Sequence, residues 1–186
     1  MSRETQEYKR SFSGSVGSGV KSIFGSSEKT YYIIEHRIGS KYHHAGEQQE
    51  IIIDQVEIGR DAKCQVRFDE VFETVSRRHA AIIRENNRLK LIPLSKTNPT
   101  LLNGKQVQAE WFLQHGDEIQ FAVNGPKLIV IFPHGKNAMT SNINIFRRLY
   151  LFGKQVFLPY KRELVILMCI ILLILILVGG YFIFIQ

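Results

Sequence analysis

The 186-residue sequence predicts an all-β sandwich of about eleven short strands, followed by one C-terminal transmembrane α-helix. Three observations carry this. Between residues 30 and 135, short β-branched and aromatic runs alternate with turn residues every ~8–12 positions. Residues 164–185 form a 22-residue stretch without a charge, about the length a helix needs to cross a bilayer. Residues 11–27 are rich in Gly and Ser and poor in apolar bulk, so burial there cannot offset the entropy of ordering. The expected organisation is a flexible arm over 1–29, a sandwich over 30–135, a basic juxtamembrane segment over 136–163 and a span over 164–185.

Tyr31-Tyr32-Ile33-Ile34 reads as the first strand, followed by a polar loop holding Gly39, His43, His44 and Gly46. Glu50-Ile51-Ile52-Ile53 and Val56-Glu57-Ile58 follow, the latter running into Gly59-Arg60. Val66 and Phe68 alternate with polar neighbours, the period of a half-buried strand. Ala80 to Arg84 and Arg88 to Pro93 flank the hairpin-like pair Asn86-Asn87. Leu101-Leu102 and Gln106-Val107 flank Asn103-Gly104, a pair that readily takes the positive φ of a tight hairpin turn. Phe112-Leu113, the run ending Ile119-Gln120-Phe121, and Lys127 to Phe132 complete the set.

Past the sandwich, Ile145, Leu149, Phe152 and Val156 fall on one helical stripe with Arg147 and Lys154 roughly opposite. Two placements are open for this segment: in the lipid headgroup layer, or docked on the sandwich as a helix or extra strand. Gly153 weakens a helix there by about 1 kcal/mol relative to Ala. The span after it lacks the polar residues a core helix would carry over six turns. Lys154, Lys161, Arg162, Arg147 and Arg148 precede it and nothing basic follows. The positive-inside bias then keeps the amino-terminal domain in the cytoplasm. The expectation is a single-pass, tail-anchored membrane protein that meets membrane lipid through its C-terminal helix.

The formal net charge of +7 is not spread evenly. The 13 basic and 13 acidic residues of 31–135 cancel, and the excess lies in 1–30 and 136–163. A nucleic-acid reading wants a basic face on the fold itself, so no nucleic-acid partner is expected. Cys64 and Cys169 fall in different regions, without a disulfide framework or Cys/His metal spacing. No Gly-rich nucleotide loop, carboxylate pair or metal cluster supports an enzyme or a cofactor.

Three loop islands remain: Gly59-Arg60, Ser76-Arg77-Arg78-His79, and Thr97-Asn98-Pro99-Thr100-Leu101-Leu102-Asn103-Gly104, about twenty residues apart on strand borders. In this order they resemble the forkhead-associated (FHA) domain, a β-sandwich that reads phosphothreonine. The likeness covers roughly residues 30 to 135, and Gly116-Asp117-Glu118-Ile119 fits the family's late Gly-Asp strand start. The resemblance implies that Arg60 and Ser76 are the principal phosphate contacts, with Arg77 on the phosphate or peptide backbone. It implies that Thr97 faces the phosphothreonine and that Asn98 holds the peptide main chain. A permanent planar cation and converging hydroxyl and amide donors are what a phosphate dianion requires. Gly59, His79, Asn103 and Gly104 are expected to shape the loops, His79 bracing them from beneath. A catalytic histidine would want an orienting acid, and Ser76-x-x-His79 lacks one. Thr74 stands where family members select the residue three past the phosphothreonine.

One position departs from the pattern. The family often has Asn-Gly-Thr where this chain has Asn98-Pro99-Thr100, and proline pushes Asn98 toward an extended backbone. If that site needs positive φ, Asn98 is displaced. Proline there is familiar in bacterial members, and a bacterial source is the expectation. The function expected is a membrane-anchored phosphothreonine-peptide module that docks phosphorylated proteins at the cytoplasmic face. The alternative is a phosphate-independent scaffold subunit of a bacterial membrane or secretion complex. The oligomeric state is not legible in the sequence.

Overall fold

In a computed structural model, residues 20, 31–86, 88–133 and 145–185 are described, with side chains to 177 in the last segment. The expected arm, Asn87 and residues 134–144 lie outside the described residues, Val20 excepted. Eleven strands form: β1 (Tyr32–His36), β2 (Gln48–Ile51), β3 (Gln55–Gly59), β4 (Val66–Arg67), β5 (Ala80–Glu85), β6 (Arg88–Pro93), β7 (Thr100–Leu102), β8 (Lys105–Gln106), β9 (Trp111–Phe112), β10 (Glu118–Phe121) and β11 (Lys127–Ile131). They pair into a six-stranded sheet, β2-β1-β11-β10-β7-β8, and a five-stranded sheet, β4-β3-β5-β6-β9. Every pairing is antiparallel except β3 with β4.

The period-2 patterns set which face is inward. Tyr32 and Ile34, Leu89 and Leu91, Ile119 and Phe121, and Leu128 and Val130 are buried at alternate positions of their strands. With Val56, Ile58 and Ile82 they fill a single core between the sheets. Asn103 and Gly104, at φ of 51° and 77°, turn β7 into β8 as their sequence predicts. The Asn103 side chain also pins that turn to the start of β10. Its Nδ2 donates to Asp117 at 2.8 Å, and its Oδ1 accepts from the Glu118 amide at 2.9 Å.

Helix α1 (Ile145–Phe152) runs on through a π-helical turn (Gly153–Phe157) and a 3-10 turn (Leu158–Tyr160) into helix α2 (Lys161–Ile185). Of the two placements left open by the sequence, α1 takes the docked one: Leu151 and Val156 belong to the sandwich core. Gln155 caps β2, an edge strand whose outer backbone groups would otherwise lack partners. Its Oε1 accepts from the Ile52 amide at 3.1 Å and its Nε2 donates to the Glu50 carbonyl. Arg147 grips the Glu50 carboxylate with two bonds, at 2.7 and 2.9 Å.

The expected stripe holds at Phe152 and Val156, which pack on the core, and is corrected at its other two positions. Ile145 and Leu149 are exposed, whereas Arg148, Leu151, Gln155 and Val156 are buried. The buried face carries an arginine and a glutamine, and the π turn shifts the register that a regular helix would keep.

The span expected over 164–185 is not borne out by α2: among the described residues, no helix is long and apolar enough to cross a membrane. The helix opens on Lys161, Arg162 and Glu163. From Leu164 to Leu177, where described side chains end, it covers roughly 20 Å against a hydrocarbon layer of about 30 Å.

Candidate functional site

At one end of the sandwich, the loops after β3, before β5 and after β6 converge on an open groove lined by Arg60, Ser76, Arg77, Thr97 and Asn98, together with Ser95 and Lys96. Backbone bonds sew the loops together. The Arg60 and Asp61 amides donate to the Ser76 and Arg77 carbonyls at 3.2 and 2.9 Å. The Leu94 and Ser95 amides both donate to the His79 carbonyl. Gly59 is required by this closeness: a Cβ there would lie 2.3 Å from the Arg77 carbonyl oxygen.

His79 sits fully buried beneath the three loops. Its Nδ1 accepts from the Ser76 amide at 3.0 Å, and its Nε2 lies 3.3 Å from the Pro99 carbonyl, which it reaches as a donor. One nitrogen accepting and the other donating is the neutral imidazole. Burial pushes the His79 pKa down, which agrees with that state. Its ring meets the Phe121 edge at 5.2 Å between centroids.

Arg60 is held rather than loose. Its Nε donates to the Val75 carbonyl at 2.6 Å, and Nη1 donates to the Glu70 carboxylate. A guanidinium has five N–H donors, so several remain for a ligand. Arg78 is committed elsewhere, with two bonds to Glu57 at 2.8 and 3.1 Å. Arg77, Lys96 and Thr97 are exposed on the groove, and Asn98 is half-buried. Glu73 lines the groove, whereas Thr74 does not.

Ser95 was missed by the sequence reading. Its Oγ lies 2.7 Å from Ser76 Oγ and accepts from the Asn98 amide at 3.1 Å. Either hydroxyl can supply the proton between them, since the Ser95 oxygen keeps a second lone pair after accepting from Asn98. Lys96 was missed as well and adds a point charge beside Thr97. Both follow directly on the strand that Pro93 closes, in the same loop as Thr97, and that position was the available signal.

Pro99 does not disturb the loop. The non-glycine residues with positive φ among those described are Asn86, Asn103 and Ala122, so Asn98 needs no such conformation. The Pro99 carbonyl takes bonds from both His79 and the Ala122 amide, the latter at 2.8 Å.

Residues 56–122 match the sequence profile of the FHA domain. That stretch, and not the whole chain, is identified as an FHA domain. FHA domains are interaction modules that bind phosphothreonine peptides. Among solved structures, the FHA domain of an Arabidopsis thaliana hypothetical protein is 18% identical, with a TM-score of 0.51; the match covers 64% of this chain and 96% of that one. The Rv0020c FHA structure is 30% identical, covering 58% and 97%, with a TM-score of 0.45. A domain from work on phosphothreonine-dependent FHA interactions is 29% identical, covering 55% and 96%, with a TM-score of 0.45. None of the curated proteins compared matches the chain. With a plant protein among these structures, the similarity does not single out the bacterial source expected from the sequence.

Proposed function

We propose that this protein is a phosphothreonine-peptide reader that recruits phosphorylated partner proteins through the groove between its three loops. The observation that carries the reading is the convergence of Arg60, Ser76 and the Thr97-Asn98 pair, from three loops separate in sequence, on that one groove. The Arg60 guanidinium grips phosphate oxygens, the Ser76 hydroxyl donates to another oxygen, and Arg77 and Lys96 add charge. Asn98 reads the peptide main chain with one donor and one acceptor. The sandwich carries no net charge, so selection rests on converging donors rather than on a basic field.

The test is calorimetry of the full chain in detergent against a degenerate phosphothreonine library and its unphosphorylated twin. Arg60→Ala is expected to cost about 2–3 kcal/mol of binding, because a charge-assisted contact is lost and the phosphate is left short of a partner. Binding that survives both that change and removal of the phosphate would sink the reading. It would favour the phosphate-independent scaffold instead, to which the Glu70 carboxylate already resting on Arg60 lends some support.

The reader is held at a membrane, its domain on the cytoplasmic side. Support comes from the uncharged sequence of 164–185 and from the basic collar before it. Over the described part of α2, the large apolar side chains from Val165 to Leu177 each stay 43–65% exposed. A helix apolar all round calls for lipid or a protein neighbour. Tethering raises the effective concentration of partners at the bilayer, so a modest peptide affinity suffices. Membrane association that resists carbonate extraction should vanish on deletion of 164–186; persistence after the deletion would refute the anchor.

A further inference from the structure

A second cleft lies between the loop after β3 and the turns leading into α2. Five cations line it: Lys63, Arg67, Lys154, Lys161 and Arg162. Against them stand two carboxylates, Asp61 and Glu163, and Glu163 is already engaged by Lys63 at 2.9 Å. This surplus sits against a sandwich whose own charges cancel. Lys154 and Lys161 are exposed and make no ion pair among the described residues.

Two cations are fixed by aromatic rings, Arg67 over Tyr42 at 4.5 Å and Lys63 over Tyr160 at 5.2 Å. Beside the polar His43, Gln49, Gln65 and Gln155, the wall has an apolar part in Leu158 and Pro159 that leads to the exposed apolar flank of α2. A cationic mouth opening onto an apolar helix suits a molecule with an anionic head and a hydrocarbon tail.

We propose that this cleft binds the phosphorylated headgroup of an anionic phospholipid, with the acyl chains lying along α2. The proposal rests on the membrane-anchored reading for its biological setting, though the lipid contact itself is measurable without a bilayer. Occupancy would fix the sandwich relative to the lipid surface, because α1 is docked on the core and no loop separates it from α2.

The experiment is a titration of the full chain in maltoside micelles with dioctanoyl phosphatidylinositol bisphosphate, dioctanoyl phosphatidylcholine, and free inositol trisphosphate. Saturable binding is expected for the anionic lipid and none for the choline lipid. The free headgroup should bind more weakly, because it leaves the apolar wall uncovered. Joint Lys154→Ala, Lys161→Ala and Arg162→Ala should weaken the lipid by about ten-fold or more. Lys105→Ala, at the opposite edge of the six-stranded sheet, should not. Arg60→Ala should also leave lipid binding unchanged.

Equal affinity of the triple variant, or equal affinity for lipid and free headgroup, overturns the proposal. So does displacement of the lipid by a phosphothreonine peptide together with loss on Arg60→Ala, which would assign the binding to the loop groove. Carbonate extraction reads the anchor separately, so failure of one claim is distinguishable from failure of the other.

Discussion

At the residue scale, the groove is built around one arginine that already has a carboxylate partner. Glu70 is 74% exposed on its side chain, while Arg60 is only 24% exposed, so the acid can swing away and the base cannot. An incoming phosphate must displace Glu70 before it can use that side of the guanidinium. Exposed pairs of this kind contribute about 0.2–1 kcal/mol. Glu70→Gln should therefore tighten phosphopeptide binding by about two- to five-fold, mostly without altering the melting temperature. A calorimetric affinity equal to or weaker than wild type would show that Glu70 is a spectator. The Ser95 hydroxyl illustrates a different kind of contribution, since it ties the Ser76 hydroxyl of one loop to the Asn98 amide of another. Sequence reading finds residues whose chemistry suits phosphate. It does not find the neighbours that orient them, because orientation depends on contacts across loops.

At the element scale, strands such as β1, β10 and β11 were legible because burial alternates along them, and a period of two survives in the sequence. The join between α1 and the sandwich was not. Its buried face includes Arg148 and Gln155, so a pattern search for apolar residues selects Ile145 and Leu149, which are exposed. Gln155 earns its burial by imitating a strand: its amide presents one acceptor and one donor to the open edge of β2. Gln155→Met keeps the stem and removes both bonds, leaving the Ile52 amide and the Glu50 carbonyl without them. A loss of about 2 kcal/mol is expected, and a drop in melting temperature of roughly 4–8 °C. An unchanged melt would mean that α1 adds nothing to the sandwich. The same packing places the working boundary of the folded unit beyond the 135 expected from the sequence, since a fragment ending there would lose Leu151 and Val156 from the core.

At the scale of the whole molecule, two buried histidines couple folding to pH while the phosphate couples binding to it. Burial, aided by the neighbouring His43, pushes the His36 pKa from 6.5 down to about 4. The two rings stack 4.0 Å apart, and His43 in turn faces the Glu47 carboxylate at 3.0 Å. The unfolded chain takes up a proton at His36 near its ordinary value, whereas the folded chain resists until far lower pH. Stability is therefore full above about pH 6.5 and is lost as the pH falls toward 4, with His36 contributing on the order of 3 kcal/mol. His79 shifts in the same direction and adds to the slope. Over the upper part of this window phosphothreonine loses its second charge, near pH 6, so peptide affinity falls too. His36→Phe separates the two effects, because a phenyl ring keeps the stacking but cannot titrate. Melting temperature measured from pH 7.5 to 4.5 should fall less steeply in the variant, while the pH dependence of phosphopeptide affinity above pH 5.5 should be unchanged. Parallel melting slopes in the two proteins would remove His36 from the account. A flattened binding profile would mean that the loops, and not the ligand, set the pH response of the groove.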